Sequence, residues 1–171
     1  MKKIILLILF SIGCSHLEGD VSEIVKPHSC EKEKGLNLYE SYDYENAYHA
    51  LLPCASADKK DPDALSMLAG LVLFHKMGEF DSFEERYKQG MRYHCVAAYG
   101  GVGGSVRFLA ANYAVDKPEL GFVPNVQMGV CLENIRPLEP LHLDRVSSED
   151  VKCCFRQHTN YDISKEQCFE K

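Results

Sequence analysis

The chain is poor in the patterns that announce catalysis or nucleic-acid binding. Its 171 residues contain no H-E-x-x-H, no nucleophile elbow, no C-x-x-C and no Walker lysine. The common zinc-hydrolase, serine-hydrolase, dithiol-redox and nucleotide sites are therefore not written in it. The Cys and His residues also lack zinc-site spacing, so no metal and no cofactor is expected. Positive charge is in deficit: 19 Lys and Arg stand against 25 Asp and Glu, a formal net charge of −6. That balance excludes the basic face a phosphate backbone demands, so no nucleic-acid partner is expected, and a basic protein is the compatible kind of partner. After residue 14 no apolar run is long enough to span a bilayer. The glycine-rich GGVGGS at 100–105 has no strand before it and reads as a junction between helices, not as a phosphate cradle.

What is present begins at the start of the chain. MKKIILLILFSIGC carries Lys2 and Lys3, then nine residues from Ile4 to Ile12, eight of them apolar, then small residues around a cysteine. The apolar run has the length of a signal-peptide core. The junction resembles a bacterial lipoprotein signal, with Ser11 standing where that family has an aliphatic residue. The resemblance implies that residues 1–13 are a signal peptide and that Cys14 is lipidated; an ordinary secretory cut at the same bond, leaving Cys14 free, is the alternative. Ser15 resembles an outer-membrane sorting signal. The expected location is thus a periplasm-facing lipoprotein of the outer membrane, touching the membrane only through its lipid. Residues 14–29 read as a polar tether. Without residues 1–13, 17 basic residues remain against 25 acidic ones, a charge of about −8, and the 158 residues left suit one domain.

Seven cysteines follow Cys14: Cys30, Cys54, Cys95, Cys131, Cys153, Cys154 and Cys168. In an exported chain these read first as disulfides, and an odd number leaves one over. Of the adjacent Cys153 and Cys154, one is expected to pair locally.

From Cys30 onward the apolar residues recur at helical spacing. Leu36 and Tyr39, then Tyr44, Ala47, Tyr48, Leu51 and Leu52, predict two helices broken near Ser41–Asp43. Cys30 precedes the first and Cys54 lies near the end of the antiparallel second, which places both at one end of the hairpin and predicts a Cys30–Cys54 bond. Asp61 is a good N-cap with Pro62 at the first helical position, Ala64, Leu68, Leu71 and Val72 form the stripe of a third helix, and Gly78 is expected to stop it. A fourth helix is predicted over 82–99 and a fifth from Ser105 to Val115. Pro124 opens a further helix to residue 135, RPLEPLHLDR reads as extended or loop, a short helix is predicted near 149–157, and Ser164-Lys-Glu-Gln has the form of a capping box. His94 and Cys95 are adjacent, so on a helix their side chains diverge by about 100°. They read as a surface histidine beside a structural cysteine.

The helices are self-similar. Gly35, Ala69 and Ala110 are small residues at matching places, 34 and then 41 residues apart, within K-G-L-N-L-Y, L-A-G-L-V-L and L-A-A-N-Y-A. G-L-N-L-Y-x-x-x-D-Y-x-x-A from Gly35 to Ala47, A-L-S-M-L-A-G-L from Ala64, and C-V-A-A-Y-G-G-V-G-G-S-V-R-F-L-A-A-N-Y from Cys95 to Tyr113 resemble the Sel-one-like branch of the tetratricopeptide superfamily. The resemblance covers residues 30–122. It implies an all-α fold of antiparallel helix pairs stacked as a short solenoid. Residues 123–171 are expected to form a cysteine-stapled cap over the end of the stack.

In the register anchored on Gly35, the inner face of such a stack carries Lys32, Leu36, Tyr39 and Glu40, then Ser66, Gly70, Leu73 and Phe74, then Arg107, Ala111, Ala114 and Val115. A groove with aromatic and Arg anchors fits a protein partner. No catalytic residue is assigned. The expected function is a non-enzymatic, envelope-anchored binding module. The family resemblance points to an immunity protein that neutralises a secreted antibacterial effector of phospholipase type. The alternatives are a cysteine-rich repeat enzyme of β-lactamase or penicillin-binding type, whose cysteines would recur in every repeat as these do not, and an envelope signalling or assembly scaffold.

Overall fold

The computed structural model describes residues 30–56, 60–115, 125–135, 137–139 and 142–158. The signal and tether with Cys14 and Ser15, Pro124, the box at 164–167 and Cys168 lie outside the described residues. The described chain is mostly helical: α1 (Lys32–Glu40), α2 (Tyr44–Leu51), α3 (Pro53–Ser56), α4 (Pro62–Phe74), α5 (Phe83–Tyr99), α6 (Gly103–Tyr113), α7 (Val126–Glu133) and α8 (Ser148–His158). Between α7 and α8 lies an antiparallel pair, β1 (Pro137–Glu139) and β2 (His142–Val146), with Pro137 opposite Val146 and Glu139 opposite His142.

Local chemistry sets the helix starts. The Asp61 carboxylate accepts from the N–H groups of Asp63 and Ala64, both at 3.0 Å, with Pro62 behind it as the first residue of α4. Ser82 accepts from Glu85 N–H at 3.0 Å and Asn125 from Met128 N–H at 3.0 Å, which starts α5 and α7. Several boundaries differ from expectation, the end of α4 and the start of α6 among them. α4 ends at Phe74, four residues before Gly78, because Lys76 takes left-handed backbone (φ 58) and turns the chain there. α6 begins at Gly103, so part of the glycine run belongs to the helix. Gly101 makes the turn before it with φ 81, and a Cβ at that position would lie 2.5 Å from the Val146 carbonyl oxygen. The chain at Gly101 accepts from Val146 N–H at 2.9 Å, and Val102 bridges Arg145. The hairpin that departs from an all-helical reading is therefore docked on the α5–α6 junction. Its prolines bar a helix there, and its β2 edge finds backbone partners in that junction.

The helices pack as α1 on α2, α4 on α5 and α6 on α7, with α8 against α7 and α5. Because α7 packs along α6, the expected boundary at 122–123 divides one helix pair. Gly35, Ala69 and Ala110 are all buried, and a Cβ on Gly35 would collide with Leu51 of α2. One core gathers Leu51, Leu65, Leu68 and Leu71; the other gathers Leu109, Met128, Leu132 and Phe155.

The Cys30–Cys54 bond is present, with a Cα–Cα distance of 4.6 Å, and Cys131–Cys154 ties α7 to α8 across 5.8 Å. A loop such as Cys30–Cys54, with 24 residues of separation, stabilises by about 3 kcal/mol through the unfolded chain. Cys95 and Cys153 are disulfide-bonded as well, and no free cysteine is found among the described residues. Both members of the Cys153–Cys154 pair are thus oxidised, where one was expected to pair locally.

The turn after α1 is a Schellman cap. Asp43 N–H donates to Leu38 O and Tyr42 N–H to Tyr39 O, each at 3.0 Å, with Tyr42 left-handed at φ 63. Lys76 and Tyr42 both occupy a conformation that costs a residue with a Cβ roughly 1 kcal/mol. Lys76 is exposed, so Lys76→Gly should raise stability by roughly 1 kcal/mol and the melting temperature by about 2–4 °C in a calorimetric scan.

Candidate functional site

Three helices share one face. Lys32 Nζ at the start of α1 reaches Asp61 (3.0 Å) and Asp63 (2.8 Å) at the start of α4, while Tyr39 near the end of α1 meets His75 just past α4, ring centroids 6.3 Å apart. The two helices therefore run the same way. Ser66 near the start of α4 and Ser105 near the start of α6 are hydrogen-bonded at 2.9 Å, and Phe74 at the end of α4 meets Phe108 further along α6 at 6.1 Å, so α6 runs the same way.

The face is built in three steps along α4. At its start, Lys32 is held by the two aspartates and Arg145 of β2 grips Asp63 through both oxygens at 2.6 and 2.7 Å. Burial works against the charge on Lys32, but its bonds to Asp63 and Asp61 outweigh this and raise its pKa. Burial likewise opposes the Asp61 charge, and the Ala64 N–H and the Lys32 ammonium overcome it, so that its pKa is lowered. In the middle, His94 of α5 places Nδ1 3.0 Å from Ser105 Oγ, and its ring stacks on Phe108 at 4.1 Å. At the far end Phe74, 66% exposed, meets Phe108 edge to face at 6.1 Å.

The expected groove residues have different placements. Glu40 and Arg107 are exposed and Leu36 is half-buried. Ser66 is tied into the bond with Ser105, and Tyr39 sets its hydroxyl 3.8 Å from where a Cβ of Gly70 would stand. Leu73 is half-buried against Gly90 of α5, where a Cβ would collide with it, so it packs between helices. Lys32 is engaged by its ion pairs. Phe74 finds Phe108, the residue after Arg107. The register counts the exposed Arg107 onto the face, and Phe108 beside it, which the register leaves out, also reaches Phe74 there.

His94 corrects the sequence reading: it is not a surface residue but 6% exposed. Its environment explains why: Ser105, wholly buried at the third position of α6, needs a partner, and Phe108 covers the ring. Burial holds the imidazole pKa down at about 4, and Nε2 has no hydrogen-bond partner among the described residues. The Ser105 hydroxyl donates to Ser66, so His94 Nδ1–H donates to Ser105 Oγ and the chain of bonds runs outward from His94 to Ser66; no serine gives its proton to the imidazole. The S-x-x-K spacing of a penicillin-binding or β-lactamase nucleophile, which adjacent Ser164-Lys165 does not provide, occurs at Ser56-Ala57-Asp58-Lys59; the Ser56 hydroxyl donates to the Pro53 carbonyl at 3.1 Å at the end of α3, and residues 57–59 lie outside the described residues. No group of three His, Cys, Asp or Glu able to hold a metal occurs among the described residues.

His94 makes a signed prediction. Neutral in the fold and titrating near its ordinary 6.5 when unfolded, it takes up a proton on unfolding between those two values. Stability is then complete above pH 6.5 and falls as the pH drops toward about 4, by roughly 3 kcal/mol in all. Urea unfolding from pH 7 to 4 should show this slope and His94→Gln should flatten it; the loss due to Asp61, whose pKa is lowered, comes only below about pH 4.

Compared with known proteins, the chain matches no protein-family model, no curated protein and no solved structure.

Proposed function

We propose that the protein is a non-enzymatic binding module of the bacterial envelope, a short stack of Sel-type helix pairs that holds a protein partner against the face of α1, α4 and α6. The observation that carries this is Phe74: a large aromatic left two-thirds exposed beside Phe108, on a face where three helices lie side by side. Exposed aromatic anchors of this kind concentrate binding energy at interfaces.

Several features support the repeat reading. α1, α4 and α6 run in one direction, each followed by a packed second helix. Tyr42 and Lys76, the two left-handed non-glycine residues among those described, are 34 residues apart, the same interval as Gly35 and Ala69. Equivalent residues thus turn the chain at the ends of equivalent helices, as a repeat requires. Cys131–Cys154 staples α8 onto the last pair in the place of a terminal cap.

The disulfides support an oxidising compartment, in agreement with the lipoprotein-like start of the chain. No helix among the described residues is long and apolar enough to cross a membrane. In this reading Cys14 carries the lipid, and the acidic module waits at the membrane for a basic partner. An antibacterial effector of the phospholipase class is the partner the family resemblance favours, with the module as its immunity protein.

Two experiments test the reading. Cys14→Ser should move the protein from the membrane fraction to the soluble one. Against a partner recovered by pull-down from envelope extract, Phe74→Ala and Arg107→Glu should each weaken binding by roughly 1–3 kcal/mol with helicity intact by circular dichroism. Unchanged affinity in both would remove this face from consideration.

A further inference from the structure

The turn after α1 carries an exposed aromatic on a conformation that favours glycine. Tyr42 is 78% exposed, its backbone is left-handed, and its ring meets Tyr44 edge-on at 6.1 Å. Packing does not require a tyrosine there. The cap needs the left-handed backbone but not a tyrosine on it, and non-glycine residues held in such a conformation cluster at functional sites.

The rings beside it are fixed. Tyr44 stacks on His75 at 3.6 Å, and Tyr39 meets Tyr44 at 5.6 Å. Tyr42 therefore stands against a braced aromatic wall at the rim where α1 and α4 end. The same turn reads Glu40-Ser-Tyr-Asp-Tyr-Glu45, three carboxylates in six residues, and none of them is in an ion pair among the described residues. Glu40 and Glu45 are exposed; Asp43 caps α2 through Asn46. Lys76 on the adjoining turn reduces this charge without cancelling it.

We propose that this rim is a docking site for an arginine side chain of a basic protein partner. The faces of tyrosine rings are negative and attract a cation, and a planar guanidinium can stack on one ring while its N–H groups reach a carboxylate. Lysine, a point charge on a flexible stem, satisfies only the first demand. The net charge of −6 steers a basic partner toward the protein, and the exposed Glu40 and Glu45 give the rim its local preference. The inference rests on the protein-binding reading and adds to it a second contact, at the helix ends instead of along the face.

The test uses the full chain with its disulfides intact and a random 12-residue peptide library displayed on phage. The enriched peptides should carry arginine. A synthetic peptide from that set should lose at least tenfold in affinity when its arginine becomes citrulline, which keeps the shape and removes the charge. Tyr42→Gly should cost at least tenfold in affinity while its melting temperature equals or exceeds that of the wild type. Tyr42→Asn, which tolerates the same backbone, should behave alike if the glycine variant loosens the turn. Enriched peptides without arginine, equal binding by the citrulline peptide, or affinity unchanged by both Tyr42 variants would overturn the proposal. If the peptides respond to Arg107→Glu and not to Tyr42→Gly, the rim is wrong and the module reading stands; no enrichment at all counts against both. A dimer in solution that Tyr42→Gly converts to monomer would replace the basic partner with a second copy of this chain.

Discussion

Close approach between neighbouring helices governs the arrangement, and small residues permit it. A Cβ added to Gly35 would strike Leu51, one on Gly90 would strike Leu73, and one on Gly129 would stand 3.0 Å from the Ala110 carbonyl oxygen. At the first two places a helix backbone meets the branched end of a leucine, and at the third two helix backbones meet. That spacing brings polar groups on different helices within hydrogen-bond reach, as Ser66, Ser105 and His94 are, and lets Phe108 lie flat on the imidazole. Bulkier residues would part the helices and leave those buried groups unpaired, which costs more than the lost contact itself.

Two kinds of attachment then hold the parts at their ends. Covalent ties close the first hairpin and bind α8 to α7. Ionic ties gather α1, α4 and β2 around Asp63, which accepts from Lys32 and Arg145 together. These charges are about one-third exposed or more, so the pairs contribute more to alignment than to stability. The alignment matters to the face: with the helix starts pinned, the far ends carrying Phe74, Tyr39 and Tyr42 are set relative to one another.

Much of this architecture was legible. The Asp61-Pro62 start, the helical stripes of α4 and α5, the small residues at Gly35, Ala69 and Ala110 and the Cys30–Cys54 bond all follow from local chemistry or from period. What escaped depends on tertiary context. Nothing local to His94 marks it as buried; Ser105 and Phe108, eleven and fourteen residues further on, put it inside. Phe108 adjoins Arg107 and reaches Phe74 through its long side chain, which a register of backbone positions does not show. The prolines of RPLEPLHLDR mark the stretch as extended or loop, but nothing local marks its partner, the backbone at Gly101. The end of α4 at Phe74 could not be read because lysine is an improbable residue for the turn it makes.

The bond between Arg145 and Asp63 joins residues 82 apart in the chain, whereas Lys32 and its aspartates are separated by 29 and 31. A chain emerging from its N-terminus can complete the second set of contacts long before the first. Closing the longer loop comes late, because its entropy is lost before its contacts form. The order of assembly implied is one in which the early helices fold on their own contacts and β2 then arrives as a latch. Until it does, Asp63 has a free side and the α5–α6 junction an open backbone edge.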